Sequence, residues 1–405
     1  MNRPTILLLG AGQEQCIAID EARSQGWRTV AVDGSAQAPG LALADAGHVA
    51  DIRDVAALVG IGRAEQVQGV FCHAVEIPEV VAEVARALGL PGLAPATAHR
   101  CTHKATRIAA LRAAGIPVAD FAAVDNRQAL VETARRFGFP LVLKPVDNAG
   151  SRGVQVVHDE AALRIAYDEA MQHSRSAEVL IERVLQGPQI STESVVWQGR
   201  VHTFAFADRH YAEPAFWAPY FIEDGIDFPS TLPAAQQQAV HALVERTVAA
   251  LGIDFGAAKG DILIHDGVPH IIEMACRTSG GWFGAGSIPA ATGVNALRPL
   301  MQMALGLTPD LDALTPTRQL GCAQRYWIPR GPGIFRHADG LDAVAGMPGV
   351  QRFNHFFPAP GTRLDKAQHH AQRHAQVICT APTREAAIAR AEAAIAAIHT
   401  EVSPA

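Results

Sequence analysis

The stretch Lys144-Pro145-Val146-Asp147-Asn148-Ala149-Gly150-Ser151-Arg152-Gly153-Val154 governs how the rest of the chain is read. A short apolar strand over residues 141–144 ends in a lysine. A loop of small residues follows, and a second strand begins at Val154. Glycine has no Cβ, so successive backbone N–H groups can close on phosphate oxygens. A lysine at the strand end reaches the same oxygens as a point charge. The lysine precedes the glycines and no helix follows directly, so this is not the P-loop pattern. Taken alone, the stretch is equally a β-hairpin with a flexible turn and a solvated lysine.

Two further constellations lie downstream. Asp261 and Glu273 belong to apolar runs over 262–264 and 270–273, joined by the hairpin signal Asp266-Gly267. The two acids are expected to face each other across the ladder. Paired carboxylates repel unless a cation bridges them, and magnesium favours such oxygens together with phosphate. Arg277 follows where a transferring phosphoryl group needs charge compensation. Two exposed acids and a surface arginine are the plain alternative. Between these constellations, the strand over 179–182 ends at Glu182 and runs through Val184 to Gln189. Its backbone could read an adenine edge and its polar side chains a ribose; a plain strand exit would look the same.

The flanking sequence sets the frame. At 405 residues the chain is too long for one core and implies two or three domains. The net charge of −6 is spread without blocks, which argues against nucleic acid and anionic membrane as partners. The first apolar run, 6–9, is too short for a signal or a membrane span, so a cytoplasmic location is expected. Six cysteines with no C-x-x-C pair predict reduced thiols rather than disulfides or zinc.

Strands over 6–9, 29–33 and 67–72 alternate with helices over 13–25, 55–59 and 80–88. That rhythm predicts a parallel, doubly wound sheet opening on the tight turn Gly10-Ala11-Gly12. A Pro-Gly linker covers 90–95. Helices are expected over 102–114, 128–137, 161–172 and 235–251. Strands are expected over 154–157, and 190–196 and 201–207 form a hairpin through Gln198-Gly199. An amphipathic helix, 384–398, closes the chain. His369, His370 and His374 read as a solvated segment and Cys276 as a buried thiol.

The order phosphate loop, adenine segment, metal hairpin resembles the ATP-grasp superfamily. The resemblance is to its carboxylate–amine ligase branch: L-amino-acid ligases, biotin carboxylase-like enzymes and purine-pathway synthetases. It extends to Val32-Asp33-Gly34 and Leu43-Ala44-Asp45 at the N-terminus and to His103-Lys104-Ala105-Thr106-Arg107. Ala359-Pro360-Gly361-Thr362-Arg363 and the terminal helix carry it through the C-terminal region. The resemblance implies an α/β ATP-grasp fold with α+β lobes. Residues 1–95 would form a parallel-sheet pre-ATP-grasp domain and 96–312 the ATP-grasp domain, with a mobile lobe about 118–185. Residues 313–405 would form a small C-terminal ligase-associated domain.

Residue by residue, the resemblance implies that Lys104 and Lys144 hold ATP phosphates under Ser151, Arg152 and Gly153. Glu182 and the Val184 backbone would read adenine, and Gln189 the ribose. Asp261 and Glu273 would bind magnesium, or manganese in its place. Arg277 and Lys144 would act in catalysis. Tyr211, Trp217, Ser279, Gly280 and Gly281 are candidates for substrate contact. Three positions depart from the family pattern. Ala275 stands where a metal-binding Asn is usual, Gln189 where the ribose-binding residue is Glu, and His103 where Asp is common.

The implied activity is ATP-dependent amide formation through an acyl-phosphate. A small-molecule carboxylate and an amine, with an amino acid among them, would be the substrates, and a homodimer the assembly. A purine-type carboxylating or formylating ligase and a non-catalytic nucleotide-binding protein are the alternatives.

Overall fold

Every residue of the strand Thr5–Leu9 is buried, as expected of a strand covered on both faces of a parallel sheet. The computed structural model describes residues 3–404. It sets this strand in a four-stranded parallel sheet ordered Ala46–Val49, Arg28–Asp33, Thr5–Leu9, Gly69–Phe71. The helices Cys16–Ser24, Val55–Ala64 and Pro78–Leu88 follow the expected alternation. The first is shorter than the periodicity suggests. Residues 12–15 form a turn instead, leaving Gln13 and Glu14 on a loop beyond the end of the first strand.

The helix expected over 102–114 is two helices, Pro95–Thr102 and Lys104–Ala113. His103 is extended between them (φ −81°, ψ 110°), and its Nδ1 accepts the Thr106 N–H at 3.3 Å. This cap satisfies a backbone donor that the break would orphan. It also places Lys104 at the start of the second helix, whose N–H bonds the Val146 carbonyl at 2.9 Å.

A small antiparallel sheet follows, ordered Phe121–Val124, Val179–Arg183, Leu141–Pro145, Gln155–Val157. Helices Arg127–Phe137 and Glu160–His173 pack on it, and Leu130, Leu141, Leu163 and Ile181 form its own core. The largest sheet has eight antiparallel strands. Their order is Val268–Ala275, Phe255–His265, Gln189–Trp197, Arg200–His210, Gly225–Phe228, Gly321–Trp327, Ala375–Ala381, Val350–His355. Both predicted hairpins are present. Their turns have φ of 51° and 73° at Gln198-Gly199 and 48° and 80° at Asp266-Gly267, the left-handed pair that a type I′ turn needs. The strand expected to begin near Asp261 begins at Phe255, so Asp261 sits within it. The sheet passes from Gly225–Phe228 to Gly321–Trp327 without a break in its ladder, so residue 312 lies in the connection between two paired strands. The terminal helix, Arg384–Ala396, buries Ala387, Ala391 and Ala394. Among the described residues no helix is long and apolar enough to cross a membrane.

Candidate active site

Asp261 and Glu273 are direct cross-strand partners. Side chains opposite each other in a ladder share a face, so the two carboxylates converge. Asp261 is buried and accepts the Ser191 hydroxyl at 2.8 Å and Arg209 Nη1 at 2.7 Å; Lys259 Nζ also touches it. Burial pushes the Asp261 carboxyl up, but Arg209 and Lys259 outweigh it and hold it well below the usual carboxylate range. Burial likewise raises Glu273, and Arg107 (3.5 Å), Lys259 and Lys104 bring it down to about 2. Both acids are therefore ionised at neutral pH.

That donor set suits a hard cation that also takes phosphate oxygens. Among the described residues no group of three or more His, Cys, Asp and Glu gathers. Ala275, buried behind Glu273, adds no side-chain oxygen. Two protein carboxylates would thus hold magnesium, with phosphate and water completing its shell.

The phosphate-side cations come from two other elements. Lys144, at the end of its strand, is buried and pairs with buried Glu182 on the neighbouring strand at 2.6 Å. Lys104 Nζ donates to the Asn148 carbonyl of the loop, and burial lowers its pKa to about 8. Gly150, Ser151 and Gly153 all have positive φ. In the loop that follows, Arg152 Nη1 bonds the Ala149 carbonyl at 3.3 Å. The loop is tied from across the molecule. The His370 N–H donates to the Gly150 carbonyl at 3.1 Å, and the Ser151 hydroxyl lies 3.3 Å from His370 Nε2. His370 therefore is not the solvated residue the sequence suggested. Burial, then Arg373 and Arg209, hold its pKa well down.

Val184 and Gln189 flank the chain's passage from the small sheet to the large one. Gly187 sits between them with φ 147°, where a Cβ would come within 1.8 Å of the Ile264 carbonyl. Only glycine lets the chain lie this close to the 255–265 strand. Gln189 Oε1 accepts the Tyr211 hydroxyl at 3.2 Å. Trp217 is buried with Ile222 and Ala367, which gives it a packing role in this conformation.

Arg277 ion-pairs with Glu76 of the N-terminal region, and its Nη1 donates to the Thr278 carbonyl at 3.1 Å. Burial opposes its charge, but Glu76 and Glu273 outweigh burial. The Ser279 N–H donates to Glu193 at 3.0 Å. The Gly281 and Trp282 N–H groups donate to Glu14 at 3.2 and 2.7 Å. Burial raises the Glu14 carboxyl to about 7. Beside Gly281 opens a chamber of about 310 Å³, lined among others by Glu14, Trp282, Tyr326, Phe356, His370 and Arg373. His370 borders both chamber and loop, so the chamber adjoins the phosphate-handling region.

No site role was expected of Glu14, Glu76, Arg107 or Lys259, and His370 was expected to be solvated. Lys259 alone carried a local signal, because it lies two residues before Asp261 and so shares its face of the strand.

Known proteins resemble this chain in sequence and in fold. Residues 110–280 match the model of the D-ala D-ala ligase C-terminus. Residues 325–403 match that of L-amino acid ligase C-terminal domain 2. The solved L-amino acid ligase from Bacillus licheniformis superposes with a TM-score of 0.85, covering 99% of each chain at 21% identity. The chain has the ATP-grasp fold. Among curated relatives, the uncharacterized protein y4rH of Sinorhizobium fredii is 26% identical over 362 residues, 87% of this chain and 73% of that one. The formate-dependent phosphoribosylglycinamide formyltransferase of Burkholderia lata is 32% identical over 173 residues, 42% of this chain and 43% of that protein. The chain thus spans less than half the length of that formyltransferase.

Proposed function

We propose that this protein is an ATP-dependent carboxylate–amine ligase that joins an amino acid to a second substrate and releases ADP and phosphate. The observation that carries the reading is the cross-strand Asp261–Glu273 pair, both acids ionised, set against Lys144 of the strand Leu141–Pro145 and Lys104 of the helix Lys104–Ala113. A carboxylate oxygen attacks the γ-phosphorus of ATP and ADP leaves. The amine nitrogen then attacks the acyl carbon, phosphate leaves and the nitrogen sheds a proton. The bond chemistry needs no side-chain nucleophile, so the protein's work is positioning and charge neutralisation.

Asp261 and Glu273 would hold magnesium, which when bound would supply charge stabilisation for the phosphate oxygens. Lys144, Lys104 and Arg277 neutralise the remainder, and the loop 148–153 shuts out water that would hydrolyse the acyl-phosphate. Glu182 and the Val184 backbone take adenine, and Gln189 the ribose. Ser279 to Gly281 and Tyr211 border the substrate. The division at 95 and 312 and a homodimeric, cytoplasmic state complete the proposal.

The match of residues 325–403 to an L-amino acid ligase domain favours amino acids over a purine precursor. The test is ADP release across pairs of L-amino acids, with mass detection of the product and hydroxylamine to trap an acyl-phosphate as hydroxamate. Turnover dependent on formate or bicarbonate would move the reading to the purine-type ligases. Tight ATP binding with no ADP formed would make the protein a nucleotide sensor instead.

A further inference from the structure

Thr278, the residue after Arg277, is buried and held by two groups of the N-terminal region. Its hydroxyl oxygen accepts the Ala74 N–H at 3.1 Å and lies 2.9 Å from His73 Nδ1. Among the described residues the hydroxyl proton has no acceptor but His73 Nδ1, so Nδ1 accepts and the ring carries its proton on Nε2. Burial, then Arg277, pushes the His73 pKa down to about 4, so the ring is neutral at neutral pH. Nε2 is itself buried, and no group among the described residues accepts from it.

A histidine with one buried donor unmatched is a poor choice for a core. An apolar side chain of similar volume would pack there without that cost. What the imidazole adds is a grip on Thr278. The backbone around it serves the same contact. His73 stands just beyond the parallel strand Gly69–Phe71, and the Gln15 side-chain amide donates to its carbonyl at 3.1 Å. Ala74 has φ 60°, a left-handed conformation that costs a residue with a Cβ and tends to persist at functional sites. Its carbonyl runs close against Gly280, where a Cβ would come within 3.3 Å of that oxygen. Glu76 carries the ion pair to Arg277, and Arg277 Nη1 donates to the Thr278 carbonyl at 3.1 Å. Residues 73–76 thus hold the backbone beside Arg277 and its guanidinium at once.

We infer that His73 is a positioning residue for the reaction: through Thr278 it fixes the backbone from which Arg277 reaches the transferring phosphoryl group. The inference rests on the ligase reading for what Arg277 does. Glu76 alone would tether the guanidinium on a backbone free to shift, and a misplacement of about 1 Å can cost turnover on the order of a hundredfold. ATP binding, assigned to Lys104, Lys144 and the loop, should not depend on His73.

Steady-state ADP release with L-amino acid pairs, beside Tm, tests it on variants of His73. Asn places a polar atom where Nδ1 stands, Gln where Nε2 stands, and Leu at neither place. His73→Leu should lower kcat at least about tenfold, leave KM for ATP within about twofold, and keep or raise Tm. His73→Asn should recover kcat to within about threefold of wild type, and His73→Gln should not. Thr278→Val should lower kcat as His73→Leu does, and the two together should cost no more than either alone. Wild-type turnover in His73→Leu overturns the inference, as does recovery by Gln equal to that by Asn. A Tm that falls in step with kcat, or a His73→Leu chain that does not fold, overturns it too, for then the residue serves the core. Crystal structures of the same variants read the position of Arg277 without turnover: displaced from Glu76 in His73→Leu and unmoved in His73→Asn. A wild-type protein with no turnover on any pair would sink the ligase reading alone, and the crystal structures would still decide the hold on Arg277. An unmoved Arg277 in His73→Leu beside normal wild-type turnover would sink the inference alone.

Discussion

Ser151 and His370 stand 219 residues apart, and the Ser151 hydroxyl lies 3.3 Å from His370 Nε2. The Glu223 N–H also points at this nitrogen, at 3.5 Å, so Nε2 acts as the acceptor and the ring is neutral. The phosphate loop is therefore latched by a residue of the C-terminal region.

Releasing that latch should uncouple the reaction. His370→Ala frees the loop, water enters, and acyl-phosphate is lost before the amine captures it. The ratio of ADP formed to amide formed should rise at least about twofold, while ADP formation itself falls less. A ratio unchanged from wild type would mean that the contact does not guard the intermediate.

Removing Lys144 should cost both activity and stability. Its partner Glu182 is equally buried at 2.6 Å, and truncating one member of such a pair leaves the other charge uncompensated, at about 3 kcal/mol. Lys144→Ala should lower turnover by about a hundredfold or more and lower Tm. Adding Glu182→Gln should restore part of the Tm but none of the turnover. Differential scanning calorimetry beside an ADP-release assay separates the two effects.

The metal shell offers a gain-of-function test. Ala275 supplies no oxygen next to Glu273, so Ala275→Asn should lower the magnesium concentration needed for half-maximal rate by several-fold. The site is buried and the side chain must find room, so Tm should be recorded with the titration. Replacing Glu273 by Gln should instead abolish turnover at any magnesium level.

Glu14 sets a pH signature. Its carboxyl is raised from 4.5 to about 7 by burial. The folded state therefore holds its proton more tightly than the unfolded chain does. The associated stability is complete below about pH 4.5 and is lost as pH rises through about 7. Glu14→Gln should leave Tm unchanged near about pH 4 and raise it near about pH 8. Parallel Tm curves for the two proteins would show that Glu14 titrates normally.

Much of the nucleotide half was legible because its signals are local. A strand ending in Lys144, a loop of small residues and an Asp-Gly turn joining two apolar runs all fall within short windows, where periodicity and turn chemistry act. The turn alone would oppose Asp261 to Ile272; a bulge between Asp261 and Ile262 shifts the pairing and brings Glu273 opposite Asp261. The substrate half has no such grammar. Glu14 meets Trp282 across 268 residues and Arg277 meets Glu76 across 201, and no local pattern encodes contacts of that span. The break at His103 was invisible for another reason. Histidine is a tolerable helix residue, and the extended turn there is set by its ring capping Thr106. The start of the 255–265 strand was missed because Gly256, Gly260 and two alanines dilute its apolar signal.

The eight-stranded sheet makes one demand on any engineering of this protein. Phe228↔Cys322 and Gly225↔Arg325 bracket a ladder that joins the catalytic region to the C-terminal one. Severing the chain between them would bare a row of unpaired N–H and C=O groups along Gly225–Phe228, an adhesive margin open to any passing strand. A foreign C-terminus grafted on to change substrate preference must first supply a strand that heals that margin, or the chimera will aggregate before its chemistry can be measured.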